Sequence, residues 1–186
     1  MITFDDAPSL VVETLKKYIM STYYYLSEYV PVRFSATNEQ KQARQTVYNF
    51  KDGYYNDALM SKFTGAISRI AKSNTMVCFI PASSNERTRK RFSKLSSYIN
   101  SHSVYSADIN AITRTQDSLP GHVHGKSSNP AGNFQVSSSV RGKNIILIDD
   151  VITRGQTFND TARKLIAAGA ASVTGLFLAK TVHPAA

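Results

Sequence analysis

Between residues 145 and 157 the chain reads Ile-Ile-Leu-Ile-Asp-Asp-Val-Ile-Thr-Arg-Gly-Gln-Thr, and no other stretch restricts the fold as much. A continuous run of apolar residues suits a strand buried on both faces, as in parallel sheets covered by helices on each side. The run ends in two adjacent carboxylates, Asp149 and Asp150. Ligands of open α/β sheets bind beyond the carboxyl ends of such strands, where these acids would emerge. Thr153, Arg154, Gly155, Gln156 and Thr157 then form a small, hydroxyl-bearing turn, and an amphipathic helix starts from it. The N–H groups of such a turn and the positive end of the helix dipole favour an anion such as a sugar phosphate. Two carboxylates beside a phosphate repel it unless they hold something else. Ribose hydroxyls and a divalent cation are the natural candidates. The competing reading is a buried strand whose aspartates merely cap a helix and a turn.

The stretch resembles the phosphoribosyl-pyrophosphate (PRPP) loop of the type I phosphoribosyltransferases at every position from Ile145 to Thr157, although Thr is commoner at the site of Arg154. Downstream, Thr161-Ala162-Arg163-Lys164-Leu165-Ile166-Ala167-Ala168-Gly169-Ala170 is similar to that family's following helix and its Ala-Gly-Ala exit. The fold implied is α/β, with a mostly parallel central sheet flanked by helices.

At 186 residues the chain is long enough to bury a core without staples and is expected to form one domain, with a segment 1–43 ahead of a core 44–186. No run approaches the ~20 apolar residues of a membrane span. No charged-then-apolar leader opens the sequence, so the expected compartment is the cytoplasm. The lone Cys78 excludes an intramolecular disulfide and a cysteine-built metal site, and reads as a small buried hydrophobe. Twenty-two basic residues against thirteen acidic leave +9, which favours an anionic ligand without distinguishing a sugar pyrophosphate from nucleic acid.

Val11, Leu15, Tyr18, Thr22, Tyr25 and Tyr29 recur at spacings of three and four, which predicts a helix through the first thirty residues. It would serve as core packing, as a hood over the substrate, or as a homodimer contact. Residues 35–42 read as a loop, 44–50 as a short strand, and Lys51-Asp52-Gly53 as a turn. Tyr55, Leu59, Phe63, Ile67 and Ile70 mark a second helix, and 76–80 a buried strand stopped by Pro81. Residues 86–99 are helical by period, with Phe92, Leu95 and Ile99 on one face and Arg87, Lys90, Arg91 and Lys94 on another. That basic run is either a solvated face or an anion contact just beyond a strand end. Strands are expected at 104–113, 134–140 and 173–182, and residues 114–132 as a long loop suited to a lid.

The chain is also similar to one branch of the family, the competence protein F (ComF-like) phosphoribosyltransferases, over about residues 44–182. The matching elements, in order, are Val47-Tyr48-Asn49-Phe50-Lys51-Asp52-Gly53, then Pro81 with Arg89-Lys90-Arg91-Phe92, then Thr115-Gln116, then Asn129-Pro130-Ala131-Gly132-Asn133-Phe134. Where that branch has Gly-Phe-Asn, this chain has Arg91-Phe92-Ser93. The branch's later Arg is replaced by the neighbourhood of His124, Gly125 and Lys126, and its N-terminal cysteine zinc module has no counterpart here.

The resemblance implies transfer of a 5-phosphoribosyl group from Mg-PRPP to a nitrogenous acceptor, with release of pyrophosphate. Asp149 and Asp150 would hold the ribose hydroxyls, directly or through Mg²⁺, and stabilise oxocarbenium character at C1′. Thr153 to Thr157 would bind the 5′-phosphate. For pyrophosphate the candidates are Ala82, Ser83 and Ser84, with Arg87 as charge and Lys126 on a water-excluding lid. His122 and His124, lacking a third ligand, read as solvated rather than metal-bound. Two other functions stay open: a non-catalytic PRPP or nucleotide sensor, such as a DNA-uptake accessory, and a nucleic-acid module using the basic helix.

Overall fold

The computed structural model describes residues 11–13, 22–116 and 133–183. Five parallel strands make its centre: β2 (Tyr23–Tyr29), β3 (Thr75–Phe79), β4 (Ser106–Asp108), β7 (Asn144–Ile152) and β8 (Ser172–Thr181). With β1 (Val11–Glu13) antiparallel at the edge, the spatial order is β1-β2-β8-β7-β3-β4. A separate antiparallel ribbon pairs β5 (Ile112–Arg114) with β6 (Phe134–Val136). The helices are α1 (Asn38–Lys51), α2 (Asp57–Ile70), α3 (Asn85–His102) and α4 (Gln156–Ala167).

Strand β7 lies between β8 and β3, so both its edges are paired, and its two faces enter separate cores, as its apolar run demands. Ile145 and Leu147 enter one core with Tyr23, Tyr25, Phe158, Leu165 and Phe177, beneath α4 and the ribbon. Ile146 and Ile148 enter the other with Phe50, Phe63, Phe79, Phe92 and Leu95, beneath α1, α2 and α3. The result is a helix–sheet–helix sandwich, the expected α/β class with a mostly parallel sheet.

Several elements differ from the sequence reading. The expected N-terminal helix is overturned where it is described: Tyr23–Tyr29 is an inner strand, paired in parallel with β8 through Tyr23↔Gly175 and Tyr25↔Phe177. Its tyrosines alternate, with Tyr23 and Tyr25 in one core and Tyr24 against the other. That period of two outweighed the looser spacing of three and four. These tyrosines are therefore sheet core; residues 1–10 and 14–21 lie outside those described.

The loop expected over 35–42 holds only to Thr37, and from Asn38 on that loop and the strand expected over 44–50 are instead the single helix α1. Thr37 and Gln40 form a capping box, with Gln40 N–H donating to Thr37 Oγ1 at 3.3 Å and Thr37 N–H to Gln40 Oε1 at 2.9 Å. The aromatic and β-branched residues that suggested a strand bury Val47 and Phe50, three apart, on one helical face. The expected strand at 104–113 is two short strands in different sheets, separated by a turn in which Asn110 N–H donates to Asp108 Oδ1. The one expected at 134–140 ends at Val136 and gives way to a 3-10 turn, Ser138–Val140.

Among the described residues no helix is long and apolar enough to cross a membrane. Cys78 is fully buried in β3, which pushes its thiol far above the ordinary range. Gly175 leaves no room for a side chain on β8: a Cβ there would meet Phe177 at 2.7 Å, Tyr23 Cβ at 2.8 Å and Phe158 at 3.0 Å. Gly175→Ala should cost about 1–3 kcal/mol of overpacking, and thermal unfolding should register a fall in Tm of roughly 3–9 °C.

Candidate functional site

Strands β3 and β7 are neighbours, yet α3 leads from β3 to β4 on one side while α4 leads from β7 to β8 on the other. The turns leaving their carboxyl ends diverge, and a crevice opens between them, the usual ligand position in an open α/β sheet. A cavity of about 260 Å³ lies there, lined by Ile80, Asp149, Val151 to Phe158 and Phe177. The five turn residues from Thr153 to Thr157 thus gather around one space with Asp149. Asp150 is buried behind them and does not line it.

The turn is built to present main-chain donors. Gly155 occupies the left-handed region at φ 72° and begins α4 without any side-chain cap. By contrast, Thr37, Asn56 and Ser84 cap α1, α2 and α3. The first N–H groups of α4 therefore face the cavity with the positive end of the dipole. Thr153 is steadied by Thr181 at the end of β8, their hydroxyls 2.8 Å apart.

The two acids are held by their own backbone and by one guanidinium. Asp150 N–H donates to Asp149 Oδ1 at 2.8 Å, and Val151 N–H to Asp150 Oδ1 at 2.6 Å. Arg91 Nη1 of α3 lies 2.6 Å from Asp150 Oδ2, an ion pair not aligned as a hydrogen bond, and 3.4 Å from Asp149 Oδ1. Burial, and then the neighbouring Asp150 charge, push the Asp149 carboxyl up to about 7, against the opposing pull of Arg91, the Asp150 N–H and Lys51. Tyr29, at the end of β2, is also pushed up to about 12, first by burial and then by its hydrogen bond to Tyr48, with Asp150 a smaller contributor.

Arg91 is the site residue that the sequence reading left undifferentiated within a basic run. Helix α3 is docked by Phe92, which stacks on Phe79 with centroids 4.9 Å apart, and this orientation turns Arg91 toward β7. The other cations of the run point elsewhere: Lys90 pairs with Asp52 at 3.7 Å, Lys94 donates to the Tyr55 carbonyl, and Arg87 reaches Ser83 Oγ at 3.5 Å. The available signal was the spacing of Arg91 from Thr88 and Leu95, three and four residues apart, both buried.

The turn after β3 is tied to the ribbon. Ala82 N–H donates to Thr88 Oγ1, and the Ala82 carbonyl accepts from the buried Arg114 guanidinium. Asn85 bridges the Arg114 main chain in both directions at 2.9 Å. Of the three residues suggested as a main-chain cradle, Ala82 thus has its N–H engaged within the fold. Ser84 uses its hydroxyl to cap α3. Arg114, read from sequence as the start of a loop, is instead a buried strand end. Lys126, His122 and His124 lie outside the described residues.

For a metal, Asp149 Oδ2 has no hydrogen-bond or ion-pair partner among the described residues, and hard carboxylate oxygens suit Mg²⁺. No group of three or more His, Cys, Asp or Glu that could hold a metal occurs among the described residues. An ion here would complete its shell with water and substrate oxygens, as Mg²⁺ commonly does.

A comparison with curated proteins found no match. Similar solved structures include a hypoxanthine-guanine phosphoribosyltransferase from Bacillus anthracis, at 12% identity and TM-score 0.43, covering 75% of this chain and 73% of that one. Two others are hypoxanthine phosphoribosyltransferases. The Staphylococcus aureus protein is at 15% identity and TM-score 0.37, covering 73% of each chain, and the Trypanosoma cruzi protein at 9% and 0.38, covering 74% of each. The sequence pattern described as phosphoribosyl transferase domain matches residues 86–181, just over half of the chain. That match runs from the first turn of α3 through the acid pair and its turn to the end of β8, so the chain belongs to the phosphoribosyl transferase domain family and is a phosphoribosyltransferase.

Proposed function

We propose that the protein transfers a 5-phosphoribosyl group from Mg-PRPP to a nitrogenous, nucleobase-type acceptor and releases pyrophosphate. The observation that carries this reading is one cavity in which an uncapped helix N-terminus faces an acid at a strand end. Main-chain N–H groups of Gly155, Gln156 and Thr157, with the hydroxyls of Thr153 and Thr157, take the 5′-phosphate. Asp149 takes the ribose hydroxyls at the cavity, and the charge of the acid pair opposes the positive charge that grows at C1′ as pyrophosphate departs. Mg²⁺, held at Asp149 and Asp150 directly or through water, would supply Lewis acidity and charge neutralisation to the leaving group. Ser83, Ser84 and Arg87 lie at the adjoining strand end, where pyrophosphate would project. The lid expected over 114–132, with Lys126, falls from residue 117 on outside the described residues, and the affinity with the ComF-like branch is part of the proposal.

The nucleic-acid alternative loses support, because Lys90, Arg91 and Lys94 all have partners within the fold. A PRPP sensor differs from the enzyme only in turnover. Incubation with Mg²⁺, PRPP and a panel of purines, pyrimidines and simple amines should give steady pyrophosphate release with at least one of them; binding without release from any would favour the sensor.

Replacing Asp149 and Asp150 together by Asn should abolish calorimetric binding of Mg-PRPP while a cooperative unfolding transition persists. Unchanged affinity would remove the acids from the donor site. The charge state of Asp149 also gives a signed pH effect. Its carboxyl ionises near 3.8 when unfolded and near 7 when folded, so the unfolded chain sheds this proton first. This group's contribution to stability is therefore fullest below about 3.8, declines as pH rises, and levels off above about 7. Asp149→Asn should remove that component from a plot of unfolding free energy against pH between 4 and 7.

A further inference from the structure

Arg91 stands where a cation is required and yet is poorly accommodated there. Its Nη1 lies against both acids, while its buried Nε finds no hydrogen-bond partner among the described residues. A guanidinium serving only as a structural staple normally spends its fork of donors, because a buried N–H left unpaired is costly. Its backbone, on the other hand, is firmly placed. The Tyr55 hydroxyl donates to the Arg91 carbonyl at 2.7 Å and accepts from Leu95 N–H at 3.1 Å. It thus bridges two groups that a single helical hydrogen bond would join. The neighbouring Phe92 is locked between Phe50 and Phe79. The side chain of Arg91 is held by the two acids and by its contact over the Phe92 ring.

Three of the four carboxylate oxygens are already engaged: Asp149 Oδ1 and Asp150 Oδ1 by main-chain N–H groups, and Asp150 Oδ2 by Arg91. The Asp150 oxygen that no N–H engages is the one held by Arg91, so a divalent ion that engages both acids meets the guanidinium there. It must also tolerate a like charge a few ångströms away if the guanidinium stays. Resting on the donor site proposed above, we propose that Arg91 is the resident counter-cation of the acid pair, displaced when a divalent cation and its sugar pyrophosphate bind. The guanidinium keeps two buried like charges compatible with the ligand-free fold. It then competes with the incoming metal for them, which sets the metal concentration at which the donor can be held.

The test uses the full chain at pH 8, with Mn²⁺ as probe and free Mn²⁺ read by electron paramagnetic resonance. Arg91→Gln should bind Mn²⁺ at least about tenfold more tightly than the unmodified protein, because a competing charge has been removed. Arg91→Lys, a compact charge without the fork, should fall between them. Adding the two Asp→Asn changes to Arg91→Gln should erase the gain. Equal or weaker Mn²⁺ binding by Arg91→Gln, or no Mn²⁺ binding by either protein, overturns the proposal, since loss of a cation that competes for the acids must raise metal affinity.

If Arg91→Gln does not fold, the unmodified protein decides. The Arg91 Nε–H resonance, assigned by its disappearance in Arg91→Lys, should shift and lose solvent protection as Mg²⁺ and PRPP are added. An unmoved resonance beside bound donor overturns displacement. Binding of PRPP with no change in Mn²⁺ affinity on substitution would leave the donor reading intact and remove only this inference. Tighter Mn²⁺ binding without any PRPP binding would do the reverse.

Discussion

Two carboxylates at the end of a doubly buried strand set the terms for everything around them. Asp150 is buried and Asp149 nearly so, and neither could keep its charge there alone without a large desolvation cost. The molecule meets that demand from two sources, the strand's own N–H groups and one arginine brought in from a neighbouring helix. The arginine in turn requires α3 to sit at one rotation about its axis. That rotation is set by aromatic packing among Phe50, Phe79 and Phe92 and by the Tyr55 hydroxyl at the Arg91 carbonyl. A local charge problem on β7 is therefore tied to the hydrophobic core on one side of the sheet.

The anion-binding half of the crevice is made differently. No side chain is needed to create it, only a glycine that adopts a left-handed conformation and leaves α4 without a cap. The acids and the helix end belong to consecutive segments of chain, so their proximity follows from the strand–turn–helix order itself. The opposite wall is non-local. It arises because the connections from β3 and β7 run to opposite sides, which opens the space between their ends. Asn85 and Arg114 then link that wall to the β5–β6 ribbon.

Where the sequence misled, local preference was read without its context. Residues 44–50 carry Thr, Val, Tyr and Phe, all good strand formers, yet they continue a helix that begins at the Thr37 capping box. The box was visible as Thr-x-x-Gln but lay in a stretch read as a loop. The tyrosines 23 to 25 fit a helical stripe only when joined to residues ten positions earlier. Within the segment itself they alternate, and the strand slot beside β8 rewards alternation. In both cases the packing partner, not the intrinsic preference, decided the outcome.

By itself the sequence determined the strand, the acid pair, the glycine turn and the helix after it, because these are contiguous and each has a local chemical reason. It also determined the α/β class, through apolar runs alternating with amphipathic helices. Only the tertiary structure decided which cation of the basic run meets the acids, and that Tyr55 fastens the helix carrying it. Lys90, Arg91 and Lys94 look equivalent along the chain, but core packing fixes the rotation of α3, and that rotation selects Arg91.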